Sequence, residues 1–117
     1  MRTPGRATDA VETGEIMRKL DMADAQATVA SFCRKWRIRE FSLFGSVLRD
    51  DFGPDSDVDV LVTFEPDPAW SLLDIVAMIA ELRRAFGRDV DLVERDAIRN
   101  PFRRQAILSS HRVVYAA

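Results

Sequence analysis

A single cysteine, Cys33, leaves no partner for an internal disulfide and cannot build a cysteine-ligated zinc site. A single histidine, His111, lies past the last predicted helix, which argues against Ser-His-Asp chemistry and assigns it a surface position. No apolar run approaches the roughly 20 residues that cross a bilayer, and no apolar segment follows the opening Met1-Arg2-Thr3-Pro4-Gly5-Arg6, so neither a membrane span nor a secretory signal is expected. There is no basic excess. The net charge of −2 excludes binding of nucleic acid through bulk electrostatics. Internal repeats and low-complexity tracts are also lacking. The cytoplasm is the expected compartment.

What remains is 117 residues with a 47% apolar and 31% charged share, enough for one soluble domain with one core. Its charges are segregated. Residues 50 to 67 carry Asp50, Asp51, Asp55, Asp57, Asp59, Glu65 and Asp67 without a Lys or Arg, while basic residues gather at 34 to 39, at Arg83-Arg84 and at 99 to 104. An acidic centre with basic flanks suits a divalent cation plus a triphosphate; solvated helix faces explain each basic cluster taken alone.

Residues 1–14, with Pro4, Gly5 and Gly14, read as a mobile tail, and 15–117 as a single domain. From 15 to 36, Ile16, Leu20, Ala23, Ala27, Ala30, Cys33 and Trp36 recur at helical spacing; Asp21 or Asp24 can cap a break, so one helix or two are admitted. Ile38 to Phe44 is strand-like and ends at Gly45. A turn region follows, with strong turn chemistry at Gly53-Pro54-Asp55-Ser56. Asp57 to Phe64 is the clearest strand, with Val58, Val60, Val62 and Phe64 on one face and Asp57, Asp59, Leu61 and Thr63 on the other. Ser71 caps an amphipathic helix whose stripe is Leu72, Ile75, Val76, Ile79, Leu82 and Phe86, and Gly87 stops it. A third strand over 88–94, a last helix from Asn100-Pro101 to about Ser110, and a short edge strand at 113–115 complete the chain. The order predicts an α+β fold, a small mixed β-sheet with helices packed on one face.

The chemistry lies in Gly45-Ser46, ten residues, then Asp57-Val58-Asp59. Carboxylates two apart on a strand point the same way, roughly 6–7 Å apart. They repel unless a cation sits between them, and Mg²⁺ typically takes one or two carboxylates plus substrate phosphates. A third carboxylate on a neighbouring strand is met by Asp91, although Asp89 points the same way. Gly45 lets backbone N–H groups approach a phosphate, Ser46 adds a hydroxyl, and Arg49 either reaches the same anion or pairs with Asp50 or Asp51.

This run resembles the minimal nucleotidyltransferase (MNT) domains of the DNA polymerase β-like superfamily, whose signature is Gly-Ser-x10-Asp-x-Asp. The resemblance extends to Phe44, Arg49, Pro54-Asp55-Ser56, Val90-Asp91-Leu92-Val93 and Asn100-Pro101-Phe102, and covers roughly 22 to 115. The chain departs from the family at Asp50, where Gly is usual, and at Asp89, where a basic or neutral residue is common. The resemblance implies the polymerase β-like nucleotidyltransferase fold. It also implies that Asp57, Asp59 and Asp91 are catalytic and hold two Mg²⁺ ions, with Gly45, Ser46 and Arg49 against the triphosphate of ATP. By the same resemblance the chain is an antitoxin that transfers AMP from ATP to a tyrosine of a HEPN ribonuclease toxin. The alternative is an antitoxin that acts by occlusion alone. Both readings share a partner protein; direct contact with nucleic acid or membrane is expected in neither.

Overall fold

The computed structural model describes residues 25–49, 52–53, 55–67 and 69–117. The predicted tail over 1–14, the first part of the helical stretch, and Asp50, Asp51 and Pro54 lie outside the described residues. Helix α1 (Ala25–Trp36) leads into strand β1 (Ile38–Phe44), a 3-10 turn (Gly45–Leu48) and strand β2 (Val58–Phe64). Helix α2 (Leu72–Phe86), strand β3 (Val90–Glu94), a second 3-10 turn (Arg95–Ala97), helix α3 (Pro101–Leu108) and strand β4 (Arg112–Ala116) follow. The sheet order is β3-β2-β1-β4. β1 is antiparallel to β2 and β4, whereas β2 and β3 run parallel because α2 carries the chain back between them. This is the expected α+β class with a small mixed sheet.

Strand alternation sorts the two faces. Phe41 and Leu43 of β1 pair with Val62 and Val60 of β2. Together with Val58 they are buried against Val29, Phe32 and Cys33 of α1 and Met78, Leu82 and Phe86 of α2. The one-sided helical layer holds for α1 and α2 but not for α3. Ile107 of α3 joins Phe44 and Leu61, the opposite parity of both strands, in a smaller cluster on the other face. Leu61 interrupts the polar alternation of that face and needs an apolar cover, which the short α3 supplies.

Two predicted stripes shift in the structure. α1 buries Val29, Phe32 and Cys33, while Ala27 is exposed, because larger side chains gain more from leaving water. α2 buries Met78 in place of Leu72 and Val76, which are exposed. Burial pushes the Cys33 thiol up to about 12 against the opposing charge of Arg34, so the thiol is unreactive at neutral pH.

The helix limits carry their own signals. Ser71 and Asp74 form a capping box at the start of α2, and Gly87 ends it in the left-handed region at φ 66°. The Asn100 side chain accepts hydrogen bonds from the Phe102 and Arg103 amides ahead of α3. α1 and α2 are tied by Glu81, which accepts from Trp36 Nε1 at 2.8 Å and Lys35 Nζ at 2.9 Å. The Trp36 ring lies edge-on to Trp70 at 5.2 Å.

Burial alone would raise the Glu81 carboxyl, but hydrogen bonds from Trp36 and Lys35, with the Lys35 charge, outweigh it and hold the group below its ordinary value. The charged form therefore stabilises the fold above the unfolded value of about 4.3, and that contribution fades as pH falls through the lower folded value. Glu81→Gln should cost about 0.5–1 kcal/mol at neutral pH. In denaturant titrations from pH 7 to pH 3 the gap from wild type should close at the acid end; a constant gap would refute the electrostatic account.

Candidate active site

The Gly45 turn ends β1 directly beside the start of β2, because Phe44 is the register partner of Asp59. Gly45 adopts φ 73°, a region that other residues enter only with strain. A Cβ on it would collide with Asp59 Oδ2 and stand 3.0 Å from Asp59 Cγ. The glycine is thus required twice, by its backbone angle and by the carboxylate lying against it. The Ser46 amide donates to the Asp59 carboxylate, and the Ser46 hydroxyl donates to the Asp57 carbonyl at 3.1 Å. The turn is stapled to the acidic strand through both groups.

Asp59 and Asp91 are register partners on the parallel strands β2 and β3, so their Cα atoms lie about 4.8 Å apart on one face of the sheet. Asp57 sits just before the β2 ladder and is exposed, as is Asp91, while Asp59 is half-buried. The Asp59 carboxyl is held above its ordinary value by burial first and then by the like charge of Asp91, with Asp57 adding to it. The Ser46 amide and the Arg49 charge pull the other way. Arg49 is therefore within electrostatic reach of Asp59; its alternative partners Asp50 and Asp51 lie outside the described residues.

Asp89 is engaged otherwise. Its carboxylate pairs with Arg83 at 3.0 Å, and its carbonyl accepts the Val58 amide at 2.9 Å.

The donor set is all oxygen, and the charge on Asp59 is disfavoured by its surroundings, which is what a hard cation relieves. Among the described residues no three His, Cys, Asp or Glu side chains are grouped so as to hold a metal ion by themselves. Asp59 and Asp91, on adjacent strands, fit the one or two protein oxygens that Mg²⁺ takes when substrate phosphates complete its shell. An open cleft of about 570 Å³ adjoins the site at Asp57 and is lined by Ser56, Arg83, Arg84, Arg88 and Asp89.

One contributor was not visible in the sequence. Arg88 Nη1 donates to the carbonyls of Gly53, at 2.5 Å, and Ser56, at 3.2 Å, in the turn that delivers Asp57. An arginine beside the Arg83-Arg84 pair reads as one more solvated charge, and nothing in its spacing connects it with residues 53 and 56.

The profile of the nucleotidyltransferase domain family matches residues 27–114. The chain belongs to that family. It is a nucleotidyltransferase domain, and the matched span runs from α1 into β4 and includes all six candidate site residues. It is similar to the protein adenylyltransferase MntA of Thermococcus cleftensis, 38% identical over 66 residues, which cover 56% of this chain and 65% of the relative. A Methanocaldococcus jannaschii protein whose name gives protein adenylyltransferase as an unproven activity is 30% identical over 73 residues, covering 62% of this chain and 73% of that protein.

Among solved structures, a toxin–antitoxin complex with AMP-PNP superposes with a TM-score of 0.65 at 18% identity, covering 79% of this chain and 73% of that one. A tri-AMPylated HEPN toxin bound to its MNT antitoxin from Shewanella oneidensis gives 0.59 at 17% identity, covering 80% and 71%. At these identities the likeness is one of fold.

Proposed function

We propose that this nucleotidyltransferase is an antitoxin that uses Mg²⁺ to transfer AMP from ATP to a tyrosine hydroxyl of a HEPN-type ribonuclease toxin, and so silences it. The observation that carries the chemistry is the pairing of Asp59 with Asp91 against Gly45. It supports a site where carboxylates from two strands face the end of a glycine turn. The names of the adenylyltransferase relatives and of the toxin–antitoxin complexes support the donor and the partner. In this reading residues 15–117 are one domain acting in the cytoplasm, with no part for nucleic acid or membrane; no helix among the described residues is long and apolar enough to cross a membrane.

Asp57, Asp59 and Asp91 would hold Mg²⁺, two ions in this reading. The bound cation supplies positive charge to the phosphate oxygens and lowers the pKa of the acceptor hydroxyl. Gly45, Ser46 and Arg49 border the carboxylates on the β1 side and would take the triphosphate. Asp91, on the edge strand β3, would take the proton of the acceptor hydroxyl. The acceptor oxygen forms its bond to the α-phosphorus as the bond to the β-phosphate oxygen breaks and pyrophosphate leaves. The chain's contribution is position and charge rather than covalent catalysis.

The test takes as candidate acceptor any helical HEPN-type protein encoded in an adjacent reading frame. Incubation with this protein, ATP and Mg²⁺ should add mass to the toxin in whole adenylyl units on a tyrosine and remove its ribonuclease activity. Neutralisation without an adduct would overturn the enzymatic reading in favour of occlusion. So would full neutralisation by the Asp57→Ala, Asp59→Ala double variant.

A further inference from the structure

We infer that Arg88 is a positioning residue for Asp57, a fork that pins Gly53 and Ser56 and thereby sets the metal affinity of the site. This deepens the nucleotidyltransferase reading above and rests on it. Asp57 lies outside the β2 ladder, which begins at Val58, so sheet pairing fixes Asp59 but not Asp57. Asp57 is exposed and borders the open cleft, so packing does not restrain it from that side. The Ser46 hydroxyl holds its carbonyl from the β1 side, and the turn behind it supplies the other restraint.

That turn is held from within and from across the crossover. The Ser56 amide donates to the Gly53 carbonyl at 3.1 Å, and the Gly53 amide donates to Ser56 Oγ at 3.0 Å. Arg88 then reaches in from the far end of α2, just past the left-handed Gly87. Its Nη1 bonds the two carbonyls that bracket the turn, Gly53 and Ser56. Its guanidinium lies over the Phe52 ring, with Cζ 4.3 Å from the ring centre.

Two carbonyls and a ring face engaged by one plane is a task for arginine; a lysine ammonium offers charge and donors but no plane to stack. The next residue continues the tie, since the Asp89 carbonyl receives the Val58 amide. Arg88 and Asp89 therefore fasten both sides of Asp57 to the start of β3, the strand that carries Asp91.

The experiment compares full-length wild type with Arg88→Met and Arg88→Lys. Thermal unfolding without metal shows whether each variant folds. Mn²⁺ binding in the presence of a non-hydrolysable ATP analogue, read by paramagnetic resonance, reports the site without turnover. The Mg²⁺ concentration for half-maximal adenylyl transfer reports it during turnover.

Outer residues that orient metal ligands are typically worth 10–100-fold in affinity. Arg88→Met should stay folded yet bind Mn²⁺ at least about tenfold more weakly and need correspondingly more Mg²⁺, with Arg88→Lys in between. Wild-type Mn²⁺ affinity in Arg88→Met would overturn the proposal, as would a loss that tracks only the unfolded fraction. A wild type that binds Mn²⁺ but makes no adduct would sink the transferase reading and leave the Arg88 effect measurable. A wild type that binds no Mn²⁺ sinks both.

Discussion

Asp59→Asn should reduce adenylyl transfer by at least roughly 10²–10³-fold, the scale seen when one preorganised electrostatic group is removed from an active site. The same change should leave the metal-free fold as stable as wild type or more so. Both expectations have one cause. Asp59 is half-buried beside Asp91, with Asp57 two residues away, and its carboxyl is held above its ordinary value by burial and by those like charges. Without a cation the negative charge on Asp59 opposes folding, and in the proposed reading a cation turns that charge to use. An amide keeps the shape and can still accept the Ser46 N–H, but it removes the charge. Intact-mass assays of the proposed toxin partner and metal-free thermal melts test the two halves. A variant that loses activity together with stability would show that Asp59 is structural and would overturn the argument.

Gly45→Ala should be damaging in two separable ways, and Gly87→Ala supplies the control. Both glycines have positive φ, 73° and 66°. Each alanine therefore pays about 1–2 kcal/mol of backbone strain, seen as a melting temperature lower by roughly 4–8 °C per kcal/mol for a domain near this size. At Gly87 a Cβ meets nothing within 4 Å, so strain is the whole cost and transfer should persist in the folded fraction. At Gly45 the Cβ collides with Asp59 Oδ2, so either the turn or the carboxylate must shift. A displacement of about 1 Å at reacting groups can cost roughly 10²-fold in rate. Gly45→Ala should thus lose about two orders of magnitude in transfer beyond its loss of stability. Equal transfer rates in the folded fractions of the two variants would refute the collision argument.

Much of the local structure was legible because its signals are local. The limits of β1 follow from the strand-like segment that ends at Gly45, and the ends of α2 follow from Ser71 and Gly87. Asn100-Pro101 marks the start of α3 in the same way. Buried helix faces were less legible. In α1 the alanines at 27 and 30 fit helical spacing as well as Val29 and Phe32 do, and only the volume needed against the sheet selects the larger pair. In α2 Leu72 and Val76 look like core, but Ile75 and Met78 face the sheet and leave them in water. The one-sided helical layer failed at α3 because Leu61 and Phe44 make an apolar spot on the face that otherwise carries the aspartates.

The sequence by itself determined that a glycine turn precedes two carboxylates on one strand face, since period-two alternation needs no tertiary information. It also determined that no cysteine or histidine chemistry competes with them. Parity on β3 does not separate Asp89 from Asp91; the family resemblance singled out Asp91. The tertiary structure gives the physical reason: the parallel crossover through α2 sets Asp91 opposite Asp59, while Asp89 falls beyond the β3 ladder and pairs with Arg83. The collision course between a Gly45 side chain and Asp59, and the reach of Arg88 to Gly53 and Ser56, were likewise decided by folding. Periodicity fixes which way a side chain points along its own strand; strand register and crossover decide what it meets.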